Sequence, residues 1–252
     1  MAVAQKAAKE AGRLIISQFR NRKIITFKSK VNFVTNADKN SEKLITSLIK
    51  RHFPGHGIIA EEGTNIRSRE NMWIIDPLDG TTNFMHGYPF FCVSIALVRN
   101  GRQALGVVYD PTRKEMFHAV AGHGAYLNGK RINVSGAKAI SDSLLITGFY
   151  YERGGVMRKT LQKTAEFLSR SAHHVHRDGS AAMDMCYVAC GRADGYWEYV
   201  LNPWDFAAAS LIAREAGATV TTTEGTRLEM KKSGVLAANR ELHKKMLSVL
   251  LL

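Results

Sequence analysis

Cysteine is scarce in this sequence. Cys92, Cys186 and Cys190 are odd in number and form no Cys-x-x-Cys pair, which argues against a disulfide framework and fits a reducing, cytoplasmic setting. Cys186 and Cys190 lie four apart on an expected helix and read as buried free thiols. Long apolar runs are missing as well. No secretory leader and no stretch near bilayer length is present, so no membrane role is expected. The terminal Met246-Leu-Ser-Val-Leu-Leu-Leu252 is too short to span and reads as a docked helix end. Proline is limited to 5 residues, glycine to 21, and neither a low-complexity tract nor a fixed-period repeat interrupts the chain, so no flexible linker is expected. Acidic residues are the minority, 22 against 35 Lys and Arg, for a net charge of +13. That balance suits an anionic ligand and also permits nonspecific nucleic-acid binding. What remains is an ordinary globular composition. Its 252 residues can bury a large core, and they read as one domain with two halves, approximately 1–140 and 141–252.

One stretch organises the rest: Trp73-Ile-Ile-Asp-Pro-Leu-Asp-Gly-Thr-Thr-Asn-Phe84. Trp73, Ile74 and Ile75 form the short apolar run of a buried strand, which is expected to end at Asp76. Pro77 keeps Asp76 extended, and Pro77-Leu-Asp-Gly80 has the chemistry of a turn. Thr81, Thr82 and Asn83 are residues that begin helices. Two carboxylates, Asp76 and Asp79, therefore stand three apart beside a new helix N-terminus. Hard cations take oxygen ligands, and phosphate takes free backbone N–H groups. Taken alone, the five residues Asp76 to Gly80 are equally compatible with a polar surface turn, and they are not an EF-hand loop. Two other segments add to them. Glu61-Glu62-Gly63 follows the apolar run Ile58-Ile-Ala60, and Asn202-Pro-Trp-Asp-Phe206 places Asp205 at the start of an alanine-rich helix. Acids at three element boundaries are what a multi-metal oxygen site needs.

Glu61-Glu62-Gly63, Asp76-Pro-Leu-Asp-Gly-Thr-Thr-Asn-Phe84 and Pro203-Trp-Asp-Phe-Ala-Ala208 resemble the three signature segments of the inositol monophosphatase family. The likeness to bacterial members runs from Phe33-Val-Thr-Asn-Ala-Asp38 to Val235-Leu-Ala-Ala-Asn239. It implies an αβαβα five-layer sandwich and a Mg²⁺-dependent phosphatase with two to three ions per site. By resemblance, Glu61, Asp76 and the Leu78 carbonyl hold one ion, while Asp76, Asp79 and Asp205 hold a second. A third, mostly water-ligated ion would lie near Glu61. The Gly80 and Thr81 amides would bind phosphate. Thr81, supported by Asp38, and Glu61 would position and deprotonate the attacking water. Asp79, Ser180, Ala181 and Glu198 would meet the polyol, with Arg177 and Asp178 biasing substrate choice or forming an exposed ion pair. Where the family usually has Asp, this chain has Asn32. Thr82-Asn83 differs from the Lys-Glu of 3′-phosphoadenosine phosphatases, which favours inositol monophosphate. Fructose 1,6-bisphosphate, NADP-type nucleotides and an RNA- or transcription-complex-binding role remain alternatives. A homodimer is common among relatives, and lithium sensitivity is left open.

The chemistry agrees with that resemblance. Clustered carboxylates repel, divalent cations relieve the repulsion, and oxygen donors without clustered thiols favour Mg²⁺ over Zn²⁺. His173, His174 and His176 read as a surface or interface cluster rather than a metal site, because strand neighbours point to opposite faces. Elsewhere, helical spacing marks residues 1–20 and Asn40 to His52, and Asp38 could be no more than a first-turn acid. Residues 57–134 are expected to form a mostly antiparallel sheet. Helices at 156–169, 180–191 and 204–216 then alternate with strands at 172–176, 194–199, 218–222 and 234–238.

Overall fold

The computed structural model describes residues 1–19, 25–27, 33–151 and 153–252. Asn32 and the Lys28/Lys30 pair lie outside them. In chain order the elements are α1 (Ala2–Phe19), β1 (Ile25–Phe27), β2 (Phe33–Thr35), α2 (Asn36–His52), β3 (Gly57–Ala60), β4 (Asn65–Ile66), β5 (Asn71–Asp79), α3 (Thr81–His86), β6 (Cys92–Arg99), β7 (Arg102–Asp110), β8 (Glu115–Val120), β9 (Ala125–Leu127) and β10 (Lys130–Ile132). The second half adds β11 (Leu144–Thr147), α4 (Gly155–Ser169), β12 (His174–His176), α5 (Ala181–Ala189), β13 (Gly195–Leu201), α6 (Pro203–Glu215), β14 (Thr219–Thr221), β15 (Ser233–Ala238) and α7 (Arg240–Leu251).

Eight strands form the first large sheet, in the order β10-β9-β8-β7-β6-β5-β3-β4, and five form the second, in the order β12-β11-β13-β15-β14. The first is antiparallel except where β3 runs parallel to β5. The layering follows from side-chain alternation along the strands. Trp73 and Ile75 join α1 and α2 in one core, while Ile74 on the opposite face joins α5 and α6 in another. In the second sheet Tyr196 faces α5 and α6, whereas Trp197 packs with Phe167 of α4 and Met246 of α7. Helices α5 and α6 are thus shared between the sheets, and the order α1α2, sheet, α5α6, sheet, α4α7 makes the expected five layers. Fully burying a large apolar side chain such as Trp73 or Trp197 contributes about 1.5–3 kcal/mol.

α6 is buried along most of its length, from Phe206 to Ala213. Its small residues let it approach closely: a Cβ at Gly106 of β7 would stand 2.6 Å from the Ala208 carbonyl oxygen. In α1, Gly12 sits under Tyr109, which explains a helix-weakening glycine there. Cys186 is buried and free as expected, and Cys190 is free but only half-buried.

Some boundaries differ from expectation. β5 does not stop at Asp76. It runs to Asp79, with a register shift against β6 between those two acids. Antiparallel pairing with β6 holds Pro77 and Leu78 in an extended bulge, a tertiary constraint that overrides their turn preference. α2 begins at Asn36 rather than Asn40, because Thr35 and Asp38 together close its first turn.

Candidate active site

Five acids, Asp38, Glu61, Asp76, Asp79 and Asp205, sit at or near the ends of four elements, α2, β3, β5 and α6, and backbone chemistry places most of them. Asp38 and Asp205 occupy equivalent positions. Thr35-x-x-Asp38 and Asn202-x-x-Asp205 each form a reciprocal capping box at a helix start. Asp38 Oδ2 accepts from the Thr35 amide at 2.8 Å, and Asp205 Oδ2 accepts from the Asn202 amide at 2.6 Å. In Asp76, Oδ1 accepts from the Leu78 amide at 3.0 Å inside the bulge. Asp79 Oδ2 accepts from Ser180 Oγ at 2.7 Å and from the Ala182 amide at 2.8 Å at the start of α5. Hydrogen bonds from the protein therefore fix the orientation of each of these four carboxylates.

Glu61 follows β3, its amide donating to the Ile75 carbonyl at 3.2 Å. The loop it begins is anchored by the buried Glu42 of α2, which accepts from the Glu62 and Thr64 amides and from Thr64 Oγ1 at 2.7–3.0 Å. Gly80 joins β5 to α3 with φ +94°, and a Cβ there would stand 2.9 Å from the Phe90 carbonyl oxygen. Only glycine satisfies both conditions without strain. Thr81 Oγ1 then lies 2.9 Å from Asp38 Oδ1 and 3.0 Å from the Leu78 carbonyl oxygen. Its single proton serves one acceptor at a time. Asp38 is accordingly both the first-turn acid and the partner of Thr81.

Electrostatics bind these groups into one unit. The Asp76 carboxyl is pushed well above its ordinary range by burial, then by Glu61, Asp79 and Asp205. Asp205 is likewise pushed well up by burial, Glu61 and Asp79. Asp79 rises to about 6, burial outweighing its hydrogen bonds from Ser180 and Ala182. No cysteine or histidine joins the set: Cys92 Sγ lies 3.9 Å from Asp79 Oδ2, and burial keeps its thiol protonated. Among the described residues, no three His, Cys, Asp or Glu side chains close into a tight ligand cluster, as expected of mutually repelling carboxylates each tethered to a different element. The donors are all carboxylate oxygens and within electrostatic reach of one another. That chemistry fits a hard divalent cation.

Across the cleft stand Ser180, Arg177, Glu198 and, from the loop after β11, Tyr150 and Tyr151. Glu198 is buried on β13, accepts from Tyr196 Oη at 2.8 Å and is raised to about 7 by burial. Gly148 leaves room for it, since a Cβ there would collide with the Glu198 carboxylate. Ala181 begins α5 beside Asp79 and Ser180. The ion pair between Arg177 and Asp178 is not formed. Asp178 instead approaches His176 Nδ1 at 3.6 Å, while the Arg177 charge acts on Asp184 and Glu198. His174 and His176 sit on the edge strand β12, their rings 4.7 Å apart.

Two cleft residues escaped sequence reasoning. Asp184 is buried in the first turns of α5, and its Oδ1 has no hydrogen-bond partner. The available signal was one acid inside the apolar run Ala181-Ala-Met-Asp-Met-Cys186. Tyr151 lines the cleft, where burial and then the charges of Glu61, Asp205, Asp76 and Asp79 raise its phenol. No local pattern distinguishes it from a loop tyrosine.

A sequence profile of the inositol monophosphatase family matches residues 1–251. An inositol-1-monophosphatase from Synechocystis sp. is 41% identical over 97% of this chain and 86% of its own length. A Vibrio cholerae protein called Nus factor SuhB is 43% identical over 94% of this chain and 90% of its own. Among solved structures, extragenic suppressor protein suhB from Bartonella henselae superposes with a TM-score of 0.95 at 36% identity, covering 99% of this chain and 97% of that one.

Proposed function

We propose, for a chain that belongs to the inositol monophosphatase family, the Mg²⁺-dependent hydrolysis of small polyol or sugar phosphate monoesters, with inositol monophosphate foremost. The observation that carries this reading is the meeting of Thr81 and Asp38 with the acids of β5 and α6 at the start of α3. Glu61, Asp76 and the Leu78 carbonyl would hold one divalent ion, and Asp76, Asp79 and Asp205 a second, with a weaker third near Glu61. Bound there, such ions supply Lewis acidity to the phosphoryl group and to the departing alkoxide.

The chain's own residues account for the rest. The Gly80 and Thr81 amides offer hydrogen bonds to phosphate oxygens. Asp38 Oδ1 takes the Thr81 hydroxyl proton in a 2.9 Å hydrogen bond. That leaves the Thr81 oxygen lone pairs to accept from a water and fix its direction of attack. Glu61 is the base that removes the water's proton. A protonated Cys92 thiol makes a poor nucleophile, so water attacks directly and no phosphoenzyme forms. Asp79, Ser180, Ala181, Arg177 and Glu198 orient the polyol. A homodimer accompanies this reading.

A phosphate-release screen with Mg²⁺ tests it across inositol monophosphates, fructose 1,6-bisphosphate, NADP and 3′-phosphoadenosine 5′-phosphate. Inositol monophosphate should be the best substrate. Absence of release from every monoester would overturn the reading. Relatives called Nus factors and the net charge of +13 favour a second one, an RNA- or transcription-complex-binding role. Steep, salt-dependent RNA binding by Asp205→Asn would support it independently of catalysis.

A further inference from the structure

At the opposite end of α6 from Asp205 lies a second cavity of about 600 Å³. Asp205 and Arg214 are nine residues apart on that helix, roughly 13 Å at the helical rise. The far end is therefore spatially separate from the acidic cleft, and its charge is opposite. Three arginines line it, Arg102 from the start of β7, Arg214 from the last turn of α6 and Arg227 from the segment before β15. Leu211, Val220 and Leu228 supply buried apolar lining.

Arg214 lacks the partner a half-buried guanidinium ordinarily has. Among the described residues its side chain donates to Gln103 Oε1, a neutral acceptor. Gln103 is itself fixed, its Nε2 donating to the Ala207 carbonyl and, at 2.8 Å, to Ser210 Oγ. Among the described residues Arg214 and Arg227 make no ion pair with a carboxylate. The two repel each other; Glu229, which also lines the cavity, pairs with Lys231 at 2.7 Å and feels the Arg227 charge without an ion pair to it. The helix C-terminus accounts for a cation in the last turn of α6. It does not account for a second and third arginine around the same cavity. Guanidinium forks match phosphate geometry and stack on planar rings, and the volume is that of a small-molecule site.

We infer that the cavity between α6, the β6–β7 turn and residues 227–230 binds a small phosphate-bearing ligand with an apolar body, separately from the acidic cleft. The anion docks on Arg214 and Arg227 while the apolar part covers Leu211, Val220 and Leu228.

Calorimetry on the full-length Asp205→Asn chain in chelator tests this with adenosine 5′-monophosphate, inorganic phosphate and adenosine as probes. AMP is expected to bind more tightly than phosphate, and adenosine not measurably. Arg227→Gln, at an exposed position where folding is not at risk, should weaken AMP roughly ten- to a hundred-fold, the loss for one charge-assisted hydrogen bond. Arg214→Gln should do the same if its melting temperature is retained. In the otherwise unaltered chain, Arg227→Gln should leave Mg²⁺-dependent phosphate release unchanged. AMP binding that survives Arg227→Gln, equal binding of adenosine, or no binding of any probe would overturn the assignment.

Discussion

One wall of the acidic cleft carries Glu61, Asp76, Asp79 and Asp205, and the facing wall carries Arg177, Ser180, Asp184 and Glu198. Backbone amides position three acids of the first wall, Asp76 and Asp205 through their own turns and Asp79 through α5. The second wall relies on side chains. Glu198 is steadied by a tyrosine hydroxyl, Asp184 Oδ1 has no partner, and Arg177 is exposed and unpaired among the described residues. A backbone-anchored carboxylate keeps its place whatever the ligand. A wall of side chains can be altered one residue at a time without moving the main chain. The difference suggests that the first wall serves every phosphate ester and the second selects among them.

The strongest way to break this division is Asp205→Asn. If the first wall is indifferent to the leaving group, inositol monophosphate and p-nitrophenyl phosphate should both lose at least about a thousandfold in kcat/KM, the equivalent of several kcal/mol of transition-state stabilisation. A loss confined to one substrate would end the comparison. Thr81→Ala tests the hydroxyl that Asp38 holds. Its amide stays, so KM should hold while kcat falls roughly a hundredfold; steady-state kinetics showing normal kcat would remove Thr81 from the reaction.

Glu198→Gln sharpens the other side. Losing a charged hydrogen bond to ring hydroxyls should weaken inositol monophosphate roughly ten- to a hundred-fold in kcat/KM and leave p-nitrophenyl phosphate nearly unchanged. Equal losses on both would return Glu198 to the catalytic wall.

A smaller effect concerns stability in the metal-free protein. Burial raises Glu198 from 4.5 to about 7. A carboxyl with a raised folded-state pKa contributes stability that is fully present below about 4.5 and is lost as pH climbs through about 7. Denaturant melts should show the parent protein losing on the order of 1–3 kcal/mol relative to Glu198→Gln across that window. Parallel stability curves would mean that Glu198 is not buried as a carboxyl.

Much of the site was legible because its parts are local. Asp205 was legible at the start of its alanine-rich helix and Asp38 as a cap or first-turn acid, and the structure completes each as a capping box within four residues. Gly80 and the threonine that follows it carry their turn and helix start in their own chemistry. The apolar run Trp73-Ile-Ile75 and the apolar segments of β13 and β15 disclosed strands whose two faces each need a partner. What sequence missed depended on distant groups. The pairing of β6 with β5 stretched Pro77 and Leu78 into a bulge where local preference indicated a turn. The approach of Asp178 to His176 rather than Arg177 is local by contrast, a choice between near neighbours that spacing alone left open. Asp184 reads as an interruption of a helix until α5 is laid against the cleft, and Arg214 reads as an ordinary helix-ending cation until Arg102 and Arg227 arrive beside it. The sequence by itself determined the main element types, the hard-oxygen chemistry and the residues that begin α3 and α6, because these follow from contacts within a few residues. Only the tertiary structure decided which carboxylates share a field, which charges are left without partners and how many cavities α6 separates, because burial and long-range pairing exist only once the layers have closed.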